Sequence, residues 1–187
     1  MSRTPALLRK ATPGDASALV LLWGELLHAP TADPVAEMLA TIDRIAASED
    51  QRIVVAEVGG EVAGAVVLRV EAITPFGDEV AVQAITPYVS PDFRRRGIGK
   101  LLIEAAVLYA EEHGIGHVSA ASMSNSRDAH RFLARMGLAP QAVLRLAPTA
   151  VVRAKVSGRR TAGSTHRQPL GQVLAQRRSM RRQRDLA

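Results

Sequence analysis

Residues 89–103 read Val-Ser-Pro-Asp-Phe-Arg-Arg-Arg-Gly-Ile-Gly-Lys-Leu-Leu-Ile. An extended apolar run stops at Val89, a basic, glycine-containing loop follows, and a helical pattern starts at once. The first N–H groups of a helix have no intrahelical acceptor, and the helix start carries partial positive charge. Such a terminus attracts anions. Gly97 and Gly99 keep side chains out of the way of a close-lying phosphate. Arg94, Arg95, Arg96 and Lys100 add positive potential. The stretch therefore predicts a phosphate-binding junction between strand and helix.

Upstream of it the pattern is mostly that of strands. Leu7–Ala11 reads as a short first strand. Asp15 is placed to cap the next helix, whose Leu19, Leu22, Trp23, Leu26 and Leu27 form one apolar stripe. Val35–Ala47 reads as a second helix. Ile53–Val58 and Glu61–Ile73 alternate as strands about the turn Gly59-Gly60. Gly77-Asp78 turns the chain into Glu79–Val89, a third strand of the antiparallel run.

Downstream the period changes. Gly99–Glu112 is a helix, His117–Ser122 a strand, and Arg127–Met136 a helix stopped by Gly137. Leu138–Leu146 reads as a final strand, with Val151–Val156 as a further candidate. Strands first, then strand–helix alternation, indicate an α/β fold, of α+β type, with a mixed sheet.

The 187 residues suffice for one domain with its own core, and they include no cysteine. That composition excludes disulfides, cysteine-ligated metals and a cysteine nucleophile. No metal site is expected. No apolar run is long enough to span a membrane, and Arg9, Lys10 and Asp15 interrupt any signal-peptide core. The sequence reads as cytoplasmic. From Arg153 onward there are ten Lys/Arg and one acid, a net of +9, whereas the rest carries 14 basic and 17 acidic residues, a net of −3. The expected organisation is a domain over residues 1–157 and a basic, disordered tail over residues 158–187, with a short helix conceivable around Leu170–Arg182. The tail has charge for nucleic acid or an acidic partner, but no aromatic residue for base stacking.

The loop is not a Walker A sequence, since Leu101 follows Lys100, and the dinucleotide fingerprint lacks its third glycine, with Leu102 in that place. Arg94-Arg95-Arg96-Gly97-Ile98-Gly99 instead resembles the R/Q-x-x-G-x-G/A motif of the GNAT N-acetyltransferase family. Asn125, Ala129, Phe132, Gly137 and Leu138 resemble that family's N-x-x-x-A-x-x-F-Y-x-x-x-G-F segment. Leu8-Arg9, Ala11 and Asp15 resemble its opening. The resemblance covers roughly residues 6–146.

The resemblance implies a largely antiparallel sheet with helices on both faces and a splayed strand pair where acetyl-coenzyme A binds. It implies that N–H groups from Arg95 to Lys100, Ile98 among them, hold the pyrophosphate. Backbone of Tyr88 and Val89 would pair with the pantetheine arm, and Asn125 would touch it. Phe132 would pack near the arm or serve only the core. A strand bulge is implied before Val89, and Pro87 agrees with one.

The implied reaction is transfer of acetyl to a primary amine, on a small molecule or a peptide, by direct attack in a ternary complex. The Val89 N–H is the candidate for polarising the thioester carbonyl. Two family features are missing. Leu133 occupies the place of the usual proton-donating tyrosine, and Gln83 that of a catalytic glutamate. Glu79, on the same strand face as Gln83, and His130 are the remaining acid–base candidates. Trp23, Glu25 and His28 either shape the acceptor side or, for Trp23, belong to the core. The other reading is a coenzyme A-binding module without catalysis. Homodimers are common in the family.

Overall fold

In the computed structural model, residues 5–24, 32–121 and 126–164 are described. Two compact units are present, one ending at Ala139 and the other beginning at Pro140.

The first unit is built on a sheet of five strands in the order of the chain. Strand β1 (Ala6–Lys10) pairs antiparallel with β2 (Gln51–Val58), β2 with β3 (Glu61–Ala72), and β3 with β4 (Val80–Val89). β5 (Val118–Ala121) then runs parallel to β4. The reversal at Gly59 and Gly60 needs φ of 61° and 87°, which glycine adopts without cost. Helix α3 (Ile98–Glu112) is the crossover that a parallel neighbour requires.

Both faces of the sheet are covered. On one, α3 buries Ile98, Leu102, Ala106 and Tyr109 against Val54, Val66, Leu68, Val82 and Ala84. Helix α4 (Arg127–Arg135) contributes Leu133 to this layer. On the other face, α1 (Ala16–Trp23) and α2 (Pro34–Ala46) bury Leu19, Trp23, Met38, Ile42 and Ile45 against Ile53, Val55 and Ala65. The alternation along β2, with Val54 and Val55 in different layers, follows from the two-residue period of a strand. None of the described helices is long and apolar enough to cross a membrane.

The main expectations from sequence hold to within a residue or two for β1 to β5 and α1 to α4. Leu26 and Leu27 lie outside the described residues, as does 170–182. Three expectations are corrected. Asp15 does not cap α1: its carboxylate accepts bonds from Thr12 N–H (2.7 Å), Thr12 Oγ1 (2.9 Å) and both terminal nitrogens of Arg9 (2.7 Å each). The cation beside it outcompetes the helix amides.

Leu138–Leu146 is not a strand. Gly137 takes φ of 81°, its N–H bonds Ala134 O, and Leu138 N–H bonds Leu133 O at 3.0 Å. These two bonds close the end of α4 and use the amide that a ladder would need. Pro140 then removes another donor.

Val151–Val156 is helical. It lies in α5 (Thr149–Ser164), which starts on the carbonyl of Pro148 and passes Gly158 as far as Ser164. The valines lie half exposed on this helix instead of pairing in a sheet.

Candidate active site

The site is built at the end of β4. Ala65 stands opposite Tyr88, but Val67 stands opposite Ile85, so Thr86 and Pro87 together oppose Val66. This is a β-bulge. The proline that suggested it from sequence is inside it, at a point where no ladder N–H is demanded. Thr86 takes φ of 52°, which a β-branched residue rarely adopts.

Beyond the bulge the direction of each amide follows from the register. Ser90 N–H donates to Ala63 O at 2.9 Å, and Gly64 is opposite Val89. Ser90 and Tyr88 thus turn their amides and carbonyls toward β3. Val89, between them, turns both of its own toward the β5 side. Pairing between β4 and β5 ends at Ile85 and Ala121 among the described residues. The Val89 N–H and C=O therefore face the side where β5 pairing has ended, and among the described residues the Arg94 side chain alone reaches that carbonyl, with Nε at a long 3.5 Å.

The loop continues from there. Ser90 O accepts from Phe93 N–H and Pro91 O from Arg94 N–H, closing a single 3-10 turn. Arg95 (φ 59°) and Gly97 (φ 86°) are both left-handed, and α3 starts at Ile98. Lys100 and Leu101 N–H both return to Gly97 O. Among the described residues, the N–H groups of Arg95, Arg96, Gly97, Ile98 and Gly99 make no hydrogen bond. Left-handed residues alternating with right-handed ones gather successive amides into a concave nest, and here the nest opens at a helix N-terminus. A diphosphate fits such a row, because it brings several acceptors and a double negative charge. Arg94, Arg95, Arg96 and Lys100 are exposed around it, and none forms an ion pair among the described residues. The Arg96 guanidinium stands over the Phe93 ring at 5.1 Å.

Phe132 covers the loop's other side. A Cβ on Gly99 would meet the tip of its ring at 3.4 Å, so α4 rests on the first turn of α3. Leu133, where the resemblance expects a tyrosine, is buried in the α3 layer and offers no proton. Gln83 is on the opposite, α1–α2 face, where its Oε1 accepts from Arg69 at 3.1 Å. Glu79 precedes β4, at the end remote from the bulge, and lies 3.3 Å from His117 Nδ1. His130 is an exposed residue of α4. The structure thus brings Tyr88, Val89, Arg94 to Lys100 and Phe132 together, and does not bring Glu79 to them. Asn125, Glu25 and His28 lie outside the described residues.

Sequence reasoning missed two contacts here. The indole Nε1 of Trp23 donates to Thr86 O at 3.3 Å. Gly64 lets β3 approach Tyr88 O and Ile98. The Thr86-Pro87 pair was the available signal for the first, whereas nothing local marks the second. A groove of about 440 Å³ also lies beside the end of β4, lined by Ala18, Leu22, Glu61, Tyr88, Ser90 and Pro91. A larger cavity, about 520 Å³, opens at the other end of α3 near Tyr109 and His113. The amide nest and the stretch of β4 beyond its pairing with β5, among the described residues, make up the candidate site.

Comparison with known proteins agrees with this geometry. No curated protein sequence matches the chain. Its fold is similar to that of a transcriptional regulator from Bacillus halodurans C-125, at 19% identity and a TM-score of 0.68, over 77% of this chain and 100% of that one. It is also similar to an aminoglycoside N-acetyltransferase solved in complex with CoA, at 16% identity and 0.66, covering 78% and 95%. A third likeness is to glucosamine-6-phosphate N-acetyltransferase from Arabidopsis thaliana, at 18% and 0.64, covering 78% and 99%. The model of the Acetyltransferase (GNAT) family matches residues 21–138, well over half of the chain. With the bulged strand, the amide nest and the five-stranded mixed sheet in place, the chain belongs to the GNAT acetyltransferase family.

Proposed function

We propose that this protein is an N-acetyltransferase that moves the acetyl group of acetyl-coenzyme A to a primary amine by direct attack in a ternary complex. The observation that carries the reading is the continuity of two features. The five amides from Arg95 to Gly99 suit the pyrophosphate, and the open edge at Val89 lies one short turn before them. An extended amide-bearing arm can add to that edge as a strand would.

In the reaction the amine nitrogen attacks the thioester carbonyl carbon, the C–N bond forms and the C–S bond breaks. Products are the N-acetyl amine and the free coenzyme A thiol, with the amine's proton passing to the sulfur by way of solvent. The Val89 N–H supplies a fixed donor for the carbonyl oxygen as it gains charge. The acceptor enters from the α1–α2 face, because α3 and α4 fill the other. A lysine-type acceptor with a pKa near ~10.4 must lose a proton first. Leu133 is apolar and Gln83 takes no proton, so on this reading water carries the protons, with His130 the acid–base candidate left on α4. A sequence without cysteine offers no thiol for an acyl-enzyme.

A non-catalytic coenzyme A-binding module is the second reading, favoured by buried Leu133 and by Gln83 bonded to Arg69. Thiol release measured across polyamines, amino acids, aminoglycosides and lysine peptides separates the two. The chain has no thiol of its own to interfere. Turnover with any acceptor supports the enzyme. Binding by calorimetry without turnover supports the module, and no binding of any acyl-coenzyme A rejects both.

A further inference from the structure

Thr86 occupies a conformation that its own side chain disfavours, at φ 52°, and Pro87 restricts it further. Nothing in the local sequence compensates. Within the bulge Thr86 has no one-to-one partner on β3, and its carbonyl, in a half-buried place, needs a donor from elsewhere. That donor comes from a residue 63 positions away in sequence, the indole Nε1 of Trp23. Trp23 is the last residue of α1, is 6% exposed, and is the chain's only tryptophan. Tyr88 packs against the same layer. The helix that covers the acceptor face is thereby pinned to the bulge itself.

We propose that Trp23 is a positioning residue for acetyl transfer: its N–H holds the Thr86 carbonyl in the bulge and so aims the Val89 N–H into the cleft beside β5. The inference rests on the acetyl-transfer reading above. A ring that served packing alone would fill the layer between α1 and the sheet equally well without its N–H. The N–H is directed to the one backbone carbonyl whose residue has an unfavourable φ within the bulge. Release of that carbonyl lets Thr86 return toward negative φ, which re-registers Tyr88 and Val89 against β3. The phosphate loop, fixed by its own turn and by α3, is unaffected. The consequence is a loss in the chemical step with the coenzyme grip retained.

Calorimetry of the unaltered protein with acetyl-coenzyme A comes first, and absence of binding there sinks the acetyl-transfer reading and this inference with it. Given binding and turnover, the test is a cycle of Trp23→Phe, Thr86→Gly and the double variant. Phenylalanine keeps most of the ring and removes the donor. Glycine removes the cost of positive φ, so the bulge no longer depends on the indole. Trp23→Phe is expected to lower kcat about tenfold, as a small misplacement of a fixed donor does, with a much smaller change in KM for acetyl-coenzyme A. In the Thr86→Gly background the same change should cost less than about twofold. Unchanged kcat in Trp23→Phe, or losses that simply multiply in the double variant, overturn the proposal. Fluorescence of the single tryptophan gives a readout that needs no variant. Coenzyme A should alter its emission, whereas adenosine 3′,5′-bisphosphate, which has no arm to enter the cleft, should not. Identical emission with both ligands at calorimetric saturation overturns it as well.

Discussion

Gly64 and Tyr88 approach across β3 and β4 so closely that a Cβ on Gly64 would lie 2.8 Å from the Tyr88 carbonyl oxygen. The same Cβ would stand 3.2 Å from Cγ2 of Ile98. Neither neighbour yields easily, since one is ladder backbone and the other is the buried first residue of α3. Gly64→Ala therefore pushes β4 and α3 apart at the point where they bracket the Arg94–Lys100 loop. We expect a loss of about 1–3 kcal/mol in stability, of the size seen for overpacking, together with weaker acetyl-coenzyme A binding. Urea denaturation and calorimetry measure the two.

Gly97 poses the opposite case. Its φ of 86° favours glycine, yet a Cβ there would meet nothing within 4 Å. Gly97→Asp brings a carboxylate to the rim of the amide nest and should lower acetyl-coenzyme A affinity more than about tenfold, since like-charge juxtaposition across an interface costs on the order of several kcal/mol. Gly97→Asn tolerates the left-handed backbone comparably and adds no charge. Its affinity should stay within a few-fold of the parent by calorimetry. Equal losses in both variants would mean that backbone shape, not charge, sets the effect.

Gly99 faces Phe132 rather than solvent. Alanine there just reaches van der Waals contact at 3.4 Å. Valine does not fit without displacing the ring. We expect Gly99→Ala to bind acetyl-coenzyme A nearly as the parent does, and Gly99→Val to lose both affinity and about 1–3 kcal/mol of stability. Thermal unfolding and titration calorimetry on the pair check this.

Asp15 adds an acid-sensitive contribution to the fold. The Arg9 guanidinium, aided by the Thr12 N–H and hydroxyl and opposed by burial, pulls its carboxyl from 3.8 down to about 2. A carboxylate with a depressed pKa stabilises fully above its unfolded value and loses that contribution as the pH falls toward the folded one. Asp15→Asn should be less stable at neutral pH by on the order of 2 kcal/mol. The gap to the parent should close as the pH falls from 3.8 towards 2. A gap that stays constant in acid urea melts would show that packing, and not charge, is lost.

The strand-to-helix junction at Arg94–Lys100, with its row of free amides, was legible because its cause is local. Glycines and arginines between a strand and a helix carry their meaning wherever the chain puts them. The bulge was half legible, since Pro87 announced a break in the ladder but not the residue that holds it. Trp23 lies on the apolar stripe of its helix and read first as core, and only the fold brought its indole to Thr86. Asp15 has the sequence of a helix cap, and the ion pair with Arg9 across the first turn took the carboxylate away. Leu138–Leu146 is a short, mostly apolar run after a glycine, as a strand would be. A strand, however, needs a neighbour as well as a pattern, and here the first amide was claimed by the end of α4. Val151–Val156 shows the same limit from the other side, because a short run of branched residues cannot by itself refuse a helix.

Pro87 has a final consequence. It stands in the part of β4 that β5 has already left, and its ring nitrogen has no hydrogen to offer. A strand drifting across to zip the gap shut would find one rung missing at its first step. The β4 edge beside Val89 thus lacks a donor at Pro87 by covalent structure, whatever lies opposite it. On the proposed reading, that missing rung favours an added amide-bearing arm over a pairing strand at this edge.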